Sequence, residues 1–367
     1  MSVSVAIESS LAPSSSPSPS PSSSLDRGIS SAPELLPDPT SDWGSAEHGE
    51  PALHARRHHL LDVGDLSDAV VLRLWQRADE LKQREQRGLS STIFGTLRGH
   101  VVATLFFEAS TRTRLSFELA AQRLGALTLP LDVSRSSLEK SESLQDTLQT
   151  LAAMGATMAV VRHRDNAVFS SLGSQVGLSL LNAGNGTEAH PTQALLDAFT
   201  IRQQLGRLQD RVVVIHGDIL HSRVARSNAR LLHRFGARVL LSGPRELLPT
   251  DDELSQLVGA QLCPLEEALP QADVIMCLRV QRERHSGTSH AEAGAQPPPY
   301  LRVHGLTQER FARAKPGCLI LHPGPVNRDV EIDSALVDHP RSQILQQVRN
   351  GLFIRMATLE WIAGVLP

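Results

Sequence analysis

The sequence predicts an α/β protein of two similar-sized domains, each a mainly parallel sheet flanked by helices, joined by interdomain helices. Three observations carry that expectation. Apolar runs of strand length alternate with helical patterns from about residue 60 to the end, which is the signature of parallel sheets. The main polar clusters fall just after such a run, where open parallel sheets bind ligands. A chain of 367 residues with 41% hydrophobic residues can also fill two ordinary cores.

Order is expected to begin near Leu60, and Ser67 can cap a helix to about Gln86, with Val71, Leu72 and Trp75 on its apolar face. Strands are expected at 101–107, 126–131, 157–161 and 178–182, with a helix over 144–154 between the second and third. Phe117, Ala120, Ala121 and Leu124 sit at helical spacing after the first strand. A long helix over 191–205 has Pro191 in its first turn and Gly206 beyond its end. A second series follows: strand 211–215, helix 223–235 before Gly236, and strands 238–241, 272–278 and 318–322. The chain closes mainly as helix over 344–366.

Residues 9–24 are almost wholly Ser and Pro, and low complexity continues to about Glu50, too little apolar surface to offset ordering. A solvated, disordered tail is expected there, with a phosphorylated or partner-binding tail as the alternative. Glu8, Asp26 and Glu34 outweigh Arg27, unlike a transit peptide, and no signal-peptide apolar core is present. His54–His59 (HARRHH) reads as a solvated basic turn rather than a metal tract. Net charge is −3 and aromatics are 4%, which argues against nucleic acid as a partner. No apolar run approaches the roughly 20 residues of a membrane helix, so no membrane partner is expected. Cys263, Cys277 and Cys318 have no CxxC spacing, so they read as core residues in a reducing compartment, without metal. Only three of 36 basic residues are lysines, Lys82, Lys140 and Lys315, which makes each less incidental.

Six clusters could carry chemistry. Ser110-Thr111-Arg112-Thr113-Arg114 opens a helix after a buried strand, where backbone N–H groups favour an anion. Hydroxyls of Ser110, Thr111 and Thr113 add donors, and Arg112 can grip two phosphate oxygens; the bland reading is an N-cap with surface arginines. No Walker pattern occurs, and the Gly-rich loop Ala183–Thr187 lacks a dinucleotide fingerprint. In NAGNGTEAHPTQ (182–193), His190 starts a helix with Gln193 one turn on. The helix terminus would keep the imidazole neutral and able to donate to a carbonyl, unless it is simply a cap. Arg223 and Arg226 open the helix after the 211–215 strand, and Arg279 and Gln281 leave a strand end in CLRVQRER. In LHPGPVNRDVEID, two prolines stiffen a turn that can present carbonyls. SRSSLEKSES (134–143), with Lys140, is by composition a mobile loop or a functional lid.

Together these segments resemble the aspartate/ornithine carbamoyltransferase family over about residues 60–367, and its aspartate branch closely. STRTR (110–114), HPTQ (190–193), LRVQRER (278–284) and HPGPVNR (322–328) stand in the family's order and spacing. The resemblance implies a carbamoyl phosphate-binding domain at 56–198, an aspartate-binding domain at 199–343, and a C-terminal helix at 344–367 packing back on the first domain, after a tail at 1–55. It implies that Ser110, Thr111, Arg112 and Thr113 hold the phosphate. Thr113, Arg162 and His190 would contact the carbonyl oxygen, Gln193 the carbamoyl NH2, and Gly324 and Pro325 the nearby backbone turn. Ser136 and Lys140 would come from a neighbouring subunit, and Lys140, Arg223, Arg279 and Gln281 would serve L-aspartate. The implied protein needs no cofactor and is a cytoplasmic homotrimer with active sites shared between subunits. Regulatory or dihydroorotase chains are further candidate partners.

Two stretches depart from the family pattern: the tail, and the 285–300 segment, longer and richer in Gly, Pro and Ala. The nearest rival, an ornithine-specific member, would typically carry Cys in the HPxP turn and neutral or acidic groups facing the amino acid. Gly324 and Arg279 favour aspartate instead. A non-catalytic scaffold would be expected to have lost Arg112, His190 or Lys140, and all three are present.

Overall fold

The computed structural model describes residues 58–89, 94–132, 142–170, 172, 176–255, 257, 259–280 and 300–366. The tail, most of the 134–143 loop with Ser136 and Lys140, and the segment that begins at Gln281 lie outside the described residues.

Helix α1 (Asp68–Arg84) begins where Ser67 accepts a hydrogen bond from the Val70 amide. Its buried stripe is Val71, Leu74, Trp75, Ala78 and Leu81. Leu72 lies off that stripe and is 49% exposed, because the 3.6-residue period that buries Val71 and Trp75 turns position 72 outward. Four parallel strands form the first sheet, β1 (Val101–Phe106), β2 (Leu127–Leu131), β3 (Met158–His163) and β4 (Ser179–Asn185), in the order β2-β1-β3-β4. Helices α2 (Thr111–Arg123) and α3 (Leu144–Ala153) complete this half. The runs of β1, β3 and β4 are buried because both faces of a parallel sheet are covered.

Helix α4 (Pro191–Leu205) leads into the second sheet and is buried along its whole first two-thirds, Pro191 to Ile201. Strands β5 (Val212–His216), β6 (Arg238–Ser242), β7 (Ala260–Leu262), β8 (Val274–Cys277) and β9 (Leu319–Leu321) pair in the order β7-β6-β5-β8-β9, again all parallel. Helix α5 (Arg223–Arg234) follows β5, with Ser222 as its cap. Cys277 and Cys318 are buried and Cys263 is partly buried, all three as thiols. No helix among the described residues is long and apolar enough to cross a membrane.

The C-terminal helix (Ile344–Ile362) packs against α1, α2 and α4. One apolar cluster runs from Trp75 and Phe117 through Phe199 on α4 to Val213 and Phe353, so the two sheets share part of a core. The seat of the C-terminal helix on α1 is also ionic. Arg77 donates through Nε and Nη2 to the buried Glu360 carboxylate at 2.7 and 2.9 Å, and Thr96 adds a third donor at 2.8 Å. Glu360→Ala removes two charge-assisted bonds from Arg77, which keeps its ion pair to Glu80 at 3.0 Å, and is expected to cost about 1.5–3 kcal/mol. For a fold of about 300 residues that corresponds to a melting temperature lower by roughly 2–5 °C in a thermal scan.

Candidate functional site

A cleft of about 640 Å³ lies where the carboxyl ends of the strands from both sheets meet. Strand β1 delivers Glu108 and the Ser110–Thr113 cluster, β3 delivers Arg162, and the turn after β4 delivers His190 and Gln193. From the second sheet, β5 leads to Ser222 and Arg223, β8 to Arg279, and β9 to the His322–Pro325 turn. Of the residues singled out from sequence, Ser110, Thr111, Arg112, Thr113, Arg162, His190, Gln193, Arg223, Arg279, Gly324 and Pro325 all line this one cleft. Arg226 does not, although it shares the first turn of α5 with Arg223. Ser136, Lys140 and Gln281 lie outside the described residues.

The cleft is an electropositive chamber. Among the described residues Arg112, Arg162, Arg223, Arg279 and Arg355 line it against one carboxylate, Glu108, in a chain whose formal net charge is −3. Among the described residues Arg112 has no hydrogen-bond or ion-pair partner, and burial together with the Arg279 charge pulls its pKa down. An anion bound beside Arg112 and Arg279 would offset the repulsion between the two guanidinium groups. Helix α2 adds its positive end. Ser110 occupies the N-cap position, its side chain makes no capping bond, and the first-turn residues Thr111, Arg112 and Thr113 line the same wall.

Glu108 ties the halves together. Its Oε2 lies 3.3 Å from Arg162 Nε on the first sheet and 2.9 Å from Arg223 Nη2 on α5. Arg162 also donates to the Ala183 carbonyl at 3.3 Å, and Arg223 to that of Gly186 at 2.8 Å. The Gly-rich loop therefore braces both guanidinium groups. Gly184, at φ +117°, must be glycine, since a Cβ there would stand 3.0 Å from Arg223 Nε and 3.2 Å from Arg162 Nη1. Gly324 does the same for Arg112, with φ +67° and a Cβ position 3.2 Å from its Nε.

His190 is 4% exposed, and its amide donates to Ser227 Oγ at 2.9 Å. Its pKa is held well below the ordinary imidazole value, by burial first and then by the charges of Arg162, Arg223 and Arg355. The neutral ring expected from the helix terminus is thus present, but desolvation and neighbouring cations dominate. Nδ1 is buried with no hydrogen-bond partner among the described residues.

Two groups on the wall escaped the sequence reading. Glu108 was passed over as part of FFEAS, although an acid between a buried strand and an arginine cluster is a signal. Arg355 comes from the C-terminal helix, 5% exposed, donating to Ser116 Oγ at 2.9 Å with its guanidinium 5.1 Å above the Phe117 ring. Burial lowers its pKa to about 10. Its signal was one arginine inside the apolar run Phe353, Ile354, Met356, Ala357.

Fold and cleft define a class: a two-domain α/β protein that holds anions between two parallel sheets, with a neutral imidazole and hydroxyls beside them. Residues 58–203 match the aspartate/ornithine carbamoyltransferase carbamoyl-P binding domain, and residues 209–362 match the Asp/Orn binding domain of the same family. The chain belongs to the aspartate/ornithine carbamoyltransferase family. It is 46% identical over 307 residues to the aspartate carbamoyltransferase catalytic subunit of Salinispora tropica, covering 83% of this chain and 98% of that one. The corresponding subunit of Sorangium cellulosum is 48% identical over 305 residues, 83% of this chain and 92% of the relative. The fold is similar to crystalline aspartate transcarbamoylase from Trypanosoma cruzi in complex with carbamoyl aspartate and phosphate. The TM-score is 0.73 at 30% identity, covering 84% of this chain and 97% of that one. The T. cruzi complex with carbamoyl phosphate and aspartate gives 0.71 at 30% identity, over 82% and 95%.

Proposed function

We propose that this chain transfers the carbamoyl group of carbamoyl phosphate to the amine of L-aspartate, giving N-carbamoyl-L-aspartate and phosphate, the second step of de novo pyrimidine synthesis. The observation that carries the proposal is the convergence of strand ends from two sheets on one cleft with five arginines and one carboxylate among the described residues. Two substrates that are both anions repel each other, and such a wall offsets that repulsion while holding them side by side.

In this reading Ser110, Thr111, Arg112 and Thr113 hold the phosphate with the free end of α2. The amine attacks the carbamoyl carbon, and charge moves onto the carbonyl oxygen, where Thr113, Arg162 and neutral His190 donate. Each strong donor of that kind is typically worth roughly 3–4 kcal/mol in the transition state. The C–O bond to phosphate then breaks, and the leaving phosphate, stabilised by Arg112, accepts the amine proton. No protein nucleophile is needed. Gln193 accepts from the carbamoyl NH2, Gly324 and Pro325 supply backbone beside it, and Arg223, Arg279 and Gln281 bind the aspartate carboxylates. Ser136 and Lys140 would complete the site from a neighbouring subunit, which makes the active unit a cytoplasmic homotrimer. Regulatory or dihydroorotase chains are candidates for a larger assembly.

The deciding assay supplies purified protein with carbamoyl phosphate and either L-aspartate or L-ornithine. Carbamoyl-aspartate alone is the expected product. Carbamoyl-ornithine alone would overturn the assignment of Arg279, and silence with both would point to a scaffold. Glu108→Gln keeps the shape and removes the charge that holds Arg162 to Arg223 across the cleft. A charge-assisted hydrogen bond contributes about 1.5–3 kcal/mol. The variant is therefore expected to lower kcat/KM for aspartate by about 10–100-fold, with carbamoyl phosphate affinity changed far less.

A further inference from the structure

Under the cleft floor lies a carboxylate that the mechanism above does not use. Asp197, on α4 one turn beyond Gln193, is wholly buried. It accepts from three side-chain amides: Gln193 Nε2 at 2.9 Å and Gln347 Nε2 at 2.7 Å on Oδ1, and Asn228 Nδ2 at 2.9 Å on Oδ2. Those donors stand on α4, the C-terminal helix and α5. Gln193 and Gln347 are also cleft residues.

An amide has two unlike ends, and an ionised carboxylate can only accept. Asp197 therefore draws the NH2 end of Gln193 inward, and Oε1 is the end left for the cleft. Gln193 Nε2 has no other protein acceptor among the described residues, so Asp197 alone sets the direction of this amide. The carboxylate is itself held in place by the other two amides. Gln347 accepts from the His322 amide at 2.9 Å through Oε1, and Asn228 also donates to the Val224 carbonyl at 3.1 Å. Burial raises the Asp197 pKa to about 6, against the three amides and the Arg355 charge that lower it, so the group is ionised at neutral pH.

We propose that Asp197 is a positioning residue: it fixes the Gln193 amide with its oxygen toward the cleft, and so makes the site select a ligand carrying an N–H donor on its acyl carbon. The inference rests on carbamoyl phosphate as the ligand of the cleft. It adds that the preference for a carbamoyl over an otherwise equal acyl phosphate is set one layer behind the contact surface. A freely turning amide would present NH2 to NH2 part of the time, and a site built to hydrogen-bond one group discriminates only while its polar groups are fixed.

The test uses acetyl phosphate, which has a methyl group in place of the carbamoyl NH2. Dissociation constants for the two ligands are measured on the full chain by titration calorimetry. Wild type is expected to favour carbamoyl phosphate. Asp197→Ala is expected to reduce that preference about tenfold, to the level of Gln193→Ala, with acetyl phosphate affinity held within about twofold. In the Gln193→Ala background the second substitution should move the ratio no further, since the effect passes through that amide. Asp197→Asn keeps an accepting oxygen for Gln193 once the Asn228 amide turns round, and should retain the preference to within about threefold. If Asp197→Ala does not fold, Asp197→Ser replaces it. Its hydroxyl takes the place of the carboxylate carbon, about 1.2 Å short of the amides. Parallel weakening of both ligands, a further fall in the Gln193→Ala background, or loss of the preference in Asp197→Asn would each overturn the proposal. A wild type that does not distinguish the two ligands would instead remove the carbamoyl phosphate reading of the cleft.

Discussion

Arg112→Ala is expected to lower kcat/KM for carbamoyl phosphate by about 10³-fold or more, with the melting temperature unchanged. The two halves of that result have separate causes. Arg112 sits at the open end of α2, makes no hydrogen bond or ion pair to protein among the described residues, and stands beside Arg279, so removing it relieves repulsion in the empty protein. In the liganded protein it would grip two phosphate oxygens, and charge-assisted bonds of that kind contribute about 1.5–3 kcal/mol each. Part of that contribution grows as charge collects on the departing phosphate, so kcat falls as well as affinity. Phosphate titration separates the two: weaker binding with an unchanged kcat would make Arg112 a ground-state clamp only. A variant that melted earlier would show that Arg112 has structural partners, against the geometry of the cleft.

Much of this was legible in the sequence because it was local. The 191–205 helix was bounded correctly by Pro191 and Gly206, since proline fits a first turn and glycine takes the positive φ, 79°, that ends it. The clusters at 110–114 and 190–193 stood out because anion chemistry was placed directly after buried apolar runs. What failed was either too short or too distant. Strand β7 has only Ala260, Gln261 and Leu262, none fully buried, so no apolar run marked it. Strands β3 and β4 continue past the apolar residues into Arg162, His163 and Asn185, because the two strands go on pairing as far as His163 and Asn185 after the apolar run has ended. Glu108 meets Arg223 across 115 residues, and Arg355 meets Ser116 across 239, so nothing near either side chain announces its partner. Asp197 reads locally as a polar residue on a helix of low amphipathicity. Only the packing of three helices around it reveals an acceptor for three amides.

His190→Ala is expected to cost about 10²–10³ in kcat, the usual effect of losing one donor to a developing oxyanion, while phosphate affinity stays close to wild type. The pH behaviour distinguishes a neutral donor from an imidazolium. Burial and the charges of Arg162, Arg223 and Arg355 all depress the folded-state pKa, whereas an unfolded histidine takes its proton near 6.5. The unfolded chain therefore binds more protons just below pH 6.5, so the contribution of the neutral ring to stability is full above that value and is lost as pH falls toward the folded pKa. His190→Ala should accordingly melt with a shallower acid-side loss than wild type between about pH 6.5 and 5. In wild type, no step in kcat near pH 6.5 should disappear on substitution, since the ring does not change charge there. Ring nitrogen shifts followed by NMR read the state directly. A His190 resonance that titrates at or above pH 6.5 would make the donor an imidazolium, and Arg162 and Arg223 would then have to be displaced from the positions that the Glu108 bridge and Gly184 now give them.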